Sequence, residues 1–109
     1  TDFSIPVLIA APHGGSLKPA AYAARDCVGN PDWICSADSY TRELGEVVAQ
    51  RFGANFNGKC PWMVINHLHR SRLDANREIV EAADGDADAE AAHAAFTRAT
   101  LGSARRVWP

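Results

Sequence analysis

Apolar residues along the chain gather into short blocks separated by polar, turn-rich segments, and the spacing within each block predicts its secondary structure. Ile5 to Ala11 is a continuous apolar run with β-branched content, closed by Pro12, and reads as a strand buried on both faces. Gly14 to Ser36 has few periodic apolar positions and is punctuated by Gly and Pro. It predicts a loop longer than about 15 residues, a length that is usually functional or crosslinked. A helix is expected from Ser36 or Asp38, with Ser39, Tyr40, Thr41 and Glu43 at its start and Tyr40, Leu44, Val47, Val48 and Phe52 recurring on one face. Gly53 stops it. After the polar turn Asn55 to Pro61, Trp62-Met63-Val64-Ile65 predicts a second strand parallel to the first, giving a right-handed strand, helix, strand unit. Asp74 to Ala83 reads as a helical turn or short helix, broken by Asp84-Gly85-Asp86. Ala87 to Val107 reads as an alanine-rich helix whose inward stripe is Ala92, Phe96, Ala99 or Thr100, Ser103 and Val107.

Length and composition narrow this picture. The 109 residues make one domain or the N-terminal half of one. A hydrophobic share of 47% and a charged share of 22% are those of a globular chain. The longest apolar run is far below the roughly 20 residues that span a bilayer, so no membrane partner is expected. A formal net charge of −2 gives no global attraction to nucleic acid. Arg70, Arg72 and Arg77 nevertheless form a local basic cluster suited to a small anion. Of the three cysteines, Cys27 and Cys35 bracket a turn-rich loop of a size that a disulfide closes readily. That pairing, with a start at Thr1 rather than at methionine, favours a secreted or extracytoplasmic, processed product. Cys60 is then free, buried or bonded to another chain.

Candidate chemistry sits at two junctions where an apolar strand runs into polar residues, the place where α/β proteins tend to put it. The larger is Ile65 to Glu78, INHLHRSRLDANRE; the smaller is Val7 to Ala11 running into Pro12-His13-Gly14-Gly15. Both are expected to face one cleft. His13, ahead of two glycines, is a candidate zinc ligand or general base, or simply a histidine capping a strand end. A zinc site there needs a further carboxylate or imidazole and an open position for water. Asp38 is the first candidate and Glu43 the second, although both also suit a helix start, where free amides stabilise carboxylates. His67 and His69, spaced i, i+2, share a face if the strand runs that far, as zinc pairs and exposed edge histidines both do. Arg72, Asp74, Asn76 and Arg77 form the strongest group. An arginine fork matches a carboxylate, an asparagine adds a directional donor, and an aspartate can hold a guanidinium in place. The same residues would serve a salt-bridge network that anchors the loop to the next helix.

PHGG after a buried strand, Asp38-Ser39-Tyr40-Thr41-Arg42-Glu43-Leu44 opening a helix, and His69-Arg70-Ser71-Arg72-Leu73-Asp74-Ala75-Asn76-Arg77 after a second strand resemble the N-formylglutamate amidohydrolase family. The likeness covers about Val7 to Arg77. That family is similar in fold to the zinc carboxypeptidases and hydrolyses N-formylglutamate to formate and glutamate. The resemblance therefore implies an α/β fold that is part of a three-layer α/β/α sandwich with a mostly parallel or mixed sheet, incomplete within this chain. It implies zinc as cofactor, with His13 as a ligand and Asp38 or Glu43 at the metal side. Asn76 and Arg77 would hold the substrate carboxylate, with Asp74 beside them, and Arg72 would hold that carboxylate or the oxyanion. Family members are longer, and their second half supplies a further metal ligand and the general-base carboxylate. A second chain, copy or half that completes the fold is accordingly expected as partner, with a small carboxylate as ligand. The alternative is a non-catalytic extracellular structural or assembly protein derived from the same family.

Overall fold

The computed structural model describes residue 3 and residues 5–107. The architecture is mixed α/β, in the order β1 (Leu8–Ala11), α1 (Thr41–Asn55), β2 (Trp62–Ile65), α2 (Ile79–Ala83) and α3 (Ala87–Val107). The two strands pair in parallel, Leu8 opposite Trp62 through Ala11 opposite Ile65. Beyond the strands, a further parallel bridge joins Leu17 to Leu68. Among the described residues no helix is long and apolar enough to cross a membrane.

The predicted first strand is trimmed at its start: only Leu8–Ala11 pairs, because Pro6 cannot donate and Val7 folds back onto the Ile5 carbonyl at 2.8 Å. The second strand and the long third helix have the expected bounds. The first helix starts later than predicted, at Thr41. Tyr40 takes a left-handed conformation (φ 65°) and caps nothing with its side chain. Residues 38–40 instead form a turn in which Thr41 donates its hydroxyl to the Asp38 carbonyl at 3.0 Å. The helix then runs past Gly53 to Asn55.

The expected buried face of α1 is corrected. Tyr40, Leu44 and Val47 are exposed, and the helix touches the sheet through Gly45, whose α-carbon faces Ile9 and Ala11. A β-carbon at Gly45 would meet Ile9 and Ala11 only in ordinary van der Waals contact, and the apolar stripe beside it is left without cover. The short helix covers only Ile79–Ala83 of the predicted span. Glu78 starts it by accepting from the Val80 and Glu81 amides. The break at 84–86 is built from two aspartates that also fasten the loop. Asp84 accepts from the Asp26 amide, while Asp86 accepts from those of Ala23 and Ala89.

The apolar core is small: Leu73, Ala75, Ala82, Ala83 and Ala89, with Tyr22, Leu68, Ala92 and Phe96 packed against it. Alanines contribute little transfer energy. The buried centre also holds His13, Arg25, Asn66, Arg70 and Asp74, so specific polar contacts carry much of the architecture. The loop between β1 and α1 is crosslinked by the expected Cys27–Cys35 disulfide, and Cys60 is free and half-buried.

Candidate functional site

The parallel pairing of β1 and β2 brings both strand ends to one side of the molecule. Asn66, just past β2, locks the junction: its amide donates to Ala11 O, its side chain donates to Pro12 O, and its side-chain oxygen accepts from the Leu68 amide. His13 follows directly and is buried. Its backbone carbonyl accepts from the Asp38 amide at 3.0 Å, which fixes Asp38 beside it.

Four side chains then close a ring. His13 Nε2 lies 2.6 Å from Asp74 Oδ1, and Arg70 Nε donates to Asp74 Oδ2 at 2.9 Å. Arg70 Nη1 lies 3.6 Å from Asp38 Oδ1, and Asp38 Oδ2 lies 3.2 Å from His13 Nδ1. Asp74, at 1% exposure, is the buried anchor, whereas Asp38 is exposed. Burial works to raise the Asp74 carboxyl. Hydrogen bonds from His13 and Arg70, with the Asn76 amide, overcome it and hold the group below the ordinary carboxylate value of 3.8.

Because the folded-state value is depressed, the stability this carboxylate contributes is fully present above the ordinary range and is lost as pH falls through the depressed value. Urea midpoints measured downward from pH 5 are expected to fall faster for wild type than for Asp74→Asn below about pH 4. Parallel curves would remove Asp74 from the acid transition.

A neutral imidazole carries one N–H. If His13 gives that proton to Asp74 through Nε2, the Nδ1 lone pair faces the Asp38 carboxylate at 3.2 Å, acceptor against acceptor. Such a pair needs positive charge beside it; Arg70 supplies one from the ring, and a metal ion between the two donors would be another. The chemistry suits zinc, since imidazole and carboxylate donors at about 2.0–2.2 Å from one tetrahedral centre sit a little over 3 Å apart. An outer carboxylate on the other ring nitrogen is the usual second-layer support for a zinc-bound histidine. Among the described residues, however, no group of three or more His, Cys, Asp or Glu side chains is arranged to hold a metal. Among the described residues two such donors stand together, and a zinc site there would need a third.

A cleft of about 320 Å³ opens beside His13 and Asp38, walled by the edge of β1 and by Leu44, Gly45 and Val48 of α1. Of the other sequence candidates, Glu43 is exposed and pairs with Arg42 at 2.8 Å, outside the ring. Asp74, expected beside a substrate, is instead covered and engaged by His13, Arg70 and the Asn76 amide. Arg72 is half-buried, donates to Ser71 Oγ at 3.2 Å, and its Nε meets no acceptor among the described residues. Asn76 and Arg77 are exposed, and Arg77 pairs with Glu81 at 3.2 Å. Strand β2 ends at Ile65, and the parallel bridge of Leu68 to Leu17 carries the chain on past His67 and His69. His67 is exposed, and His69 turns to Ser71 Oγ at 2.8 Å. Burial, with Lys18 and Arg72 nearby, holds the His69 imidazole below its ordinary value.

Two contributors were not among the candidates drawn from the sequence. Arg70 appears there only as part of a basic cluster, although its i, i+4 spacing to Asp74 carries the signal. Arg25 has no local signal. Comparison of the chain with family models, curated proteins and solved structures returns no match.

Proposed function

We propose that the chain is the metal-side part of a zinc-dependent amidohydrolase acting on N-acyl, and specifically N-formyl, glutamate-like substrates. The observation that supports this best is His13 Nδ1 and Asp38 Oδ2 facing each other at 3.2 Å beside the cleft, while Asp74 occupies the other ring nitrogen. His13 and Asp38 would hold the zinc. When bound, zinc lowers the pKa of its water to about 7 and polarises the scissile carbonyl. Asp74 fixes the His13 tautomer and orientation, and Arg70 balances the buried Asp74 charge. Arg72, Asn76 and Arg77, on the segment that follows, would orient the substrate carboxylate.

In this reading a third ligand and the general-base carboxylate come from a second half, chain or copy, which would also extend the sheet. The layered α/β/α architecture is part of the same proposal. Helix α1 lies on the face that bears Ile9 and Ala11, and Arg106 of α3 stands 5.3 Å from the ring centroid of Trp62. By strand alternation Trp62 points to the opposite face. The disulfide supports an extracytoplasmic setting.

Metal analysis of the chain purified together with its completing copy or half is expected to find about one zinc per site, lost in His13→Ala and Asp38→Ala. Formate release from N-formylglutamate is the matching activity assay. Zinc content unchanged by both substitutions would sink the metal assignment. A second reading, a non-catalytic extracellular assembly protein, is favoured by the uncovered Leu44 and Val47 on α1 and by the free Cys60. It is distinguished by a metal-free chain that self-associates in native mass measurement under non-reducing conditions.

A further inference from the structure

Arg25 is 5% exposed, yet it lies in the loop and outside the ring described above. Its backbone amide donates to Ser71 O at 2.8 Å, and its Nη1 donates to Arg70 O at 2.9 Å. One residue thus grips the two successive carbonyls of Arg70 and Ser71, next to the point where the Arg70 side chain turns toward Asp74. The other contacts of the guanidinium are anchors. Nε donates to Glu81 O in α2 at 2.8 Å, and Nη1 also donates to Ile34 O at 2.8 Å. The ring of Trp33 lies 5.5 Å away over the guanidinium, and Cys35 Sγ is 3.7 Å from Nη1. Trp33 and Ile34 both belong to the segment closed by the Cys27–Cys35 bridge.

We propose that Arg25 is a positioning residue for the site, seated by the disulfide-closed loop and holding the Arg70 backbone so that the Arg70 side chain can orient Asp74 and, through it, His13. Three carbonyls from three separate segments converge on one planar fork. An ammonium group on a flexible stem cannot reproduce that geometry, so lysine does not substitute for it. The bridge limits the positions open to Ile34 and Trp33 and keeps an acceptor and an aromatic face on a buried cation. The inference rests on the reading of the His13 ring as the functional site. Its physical content, a coupling from the crosslinked loop to the ring, is testable with neither zinc nor substrate.

Amide hydrogen exchange and proton NMR on the metal-free full chain provide the test, comparing wild type with Arg25→Lys and with Cys27→Ser/Cys35→Ser. The amides of Arg72, Leu73 and Asp74, which donate to the His69 and Ala82 carbonyls, are expected to exchange at least about tenfold faster in both variants, with α3 amides unchanged. The His13 ring proton shared with Asp74 is expected to give a far-downfield signal in wild type that broadens in both variants. The proposal is overturned by wild-type exchange in Arg25→Lys or by acceleration confined to residues 27–35 in the cysteine variant. It is equally overturned if α3 accelerates as much as the site segment, since that is loss of overall stability alone. Failure to bind zinc or to release formate would count against the amidohydrolase reading and leave these outcomes interpretable.

Discussion

Replacing Asp74 with alanine is expected to lower the unfolding free energy by about 3–5 kcal/mol, the cost of stripping one partner from a buried charge cluster. The carboxylate is 1% exposed and takes hydrogen bonds from His13, Arg70 and the Asn76 amide. Without it, Arg70 keeps a buried guanidinium, and its remaining carboxylate contact, to Asp38, is longer at 3.6 Å and solvent-facing. The His13 ring loses its anchor as well. Against a total stability of about 5–15 kcal/mol for a domain of ordinary size, such a loss takes the chain close to unfolding. Asp74→Asn keeps the volume and part of the bonding, and is expected to cost about 1–3 kcal/mol. Urea titration followed by circular dichroism measures both. An alanine variant within about 1 kcal/mol of wild type would place the ring with weak surface pairs.

Gly15→Ala is the second large effect, at about 3 kcal/mol, near the top of the overpacking range. A β-carbon on Gly15 would sit inside the main chain of His67 and Leu68. That main chain cannot step aside, because Leu17 holds it from the same side through Leu17 N to His67 O at 2.9 Å and His69 N to Leu17 O at 2.8 Å. Either the bridge opens or the strand ends separate, and both outcomes displace His13 from Asp74. Gly102→Ala is the matching control. Nothing lies within 4 Å of a β-carbon there and the residue is helical, so stability is expected to rise by about 0.5–1 kcal/mol. Thermal melts of the two variants should therefore move in opposite directions.

These glycines show where sequence reasoning stopped. Two glycines after a strand-end histidine read as room for a ligand. In the structure Gly14 makes room for the start of α1, where a β-carbon would lie 2.5 Å from the Arg42 amide nitrogen, and Gly15 makes room for the second strand's continuation. A glycine marks close approach without saying what approaches. The same limit applies to α1. Its 3.6-residue apolar repeat was legible, but periodicity identifies a face that needs cover and does not supply the cover. Leu44 and Val47 remain exposed because Gly45, beside them, is what meets the sheet.

Strand β2, helix α3 and the disulfide were readable because local signals decide them: a bounded apolar run, sustained helix propensity and a short cysteine loop. The meeting of the two polar junctions was readable as topology, since parallel pairing puts both strand ends on one side. The role of Asp74 was not. Inside the run Arg72 to Arg77 it reads as one charge among exposed neighbours, and burial, which sets it apart, comes from the small apolar core closing around Leu73.

The contact between His13 and Asp74 spans 61 positions of the chain. Its closure entropy is therefore borne together with the parallel pairing of β1 and β2, which helix α1 alone does not secure. The Cys27–Cys35 crosslink lies within that span and, once formed, shortens the chain length left to be ordered. The three helices rest on local backbone hydrogen bonds, whereas the ring of His13, Asp38, Arg70 and Asp74 joins segments far apart in sequence and needs both strand ends in register. The ring is therefore a read-out of strand register: sliding β2 along β1 by one residue would part Asp74 from His13.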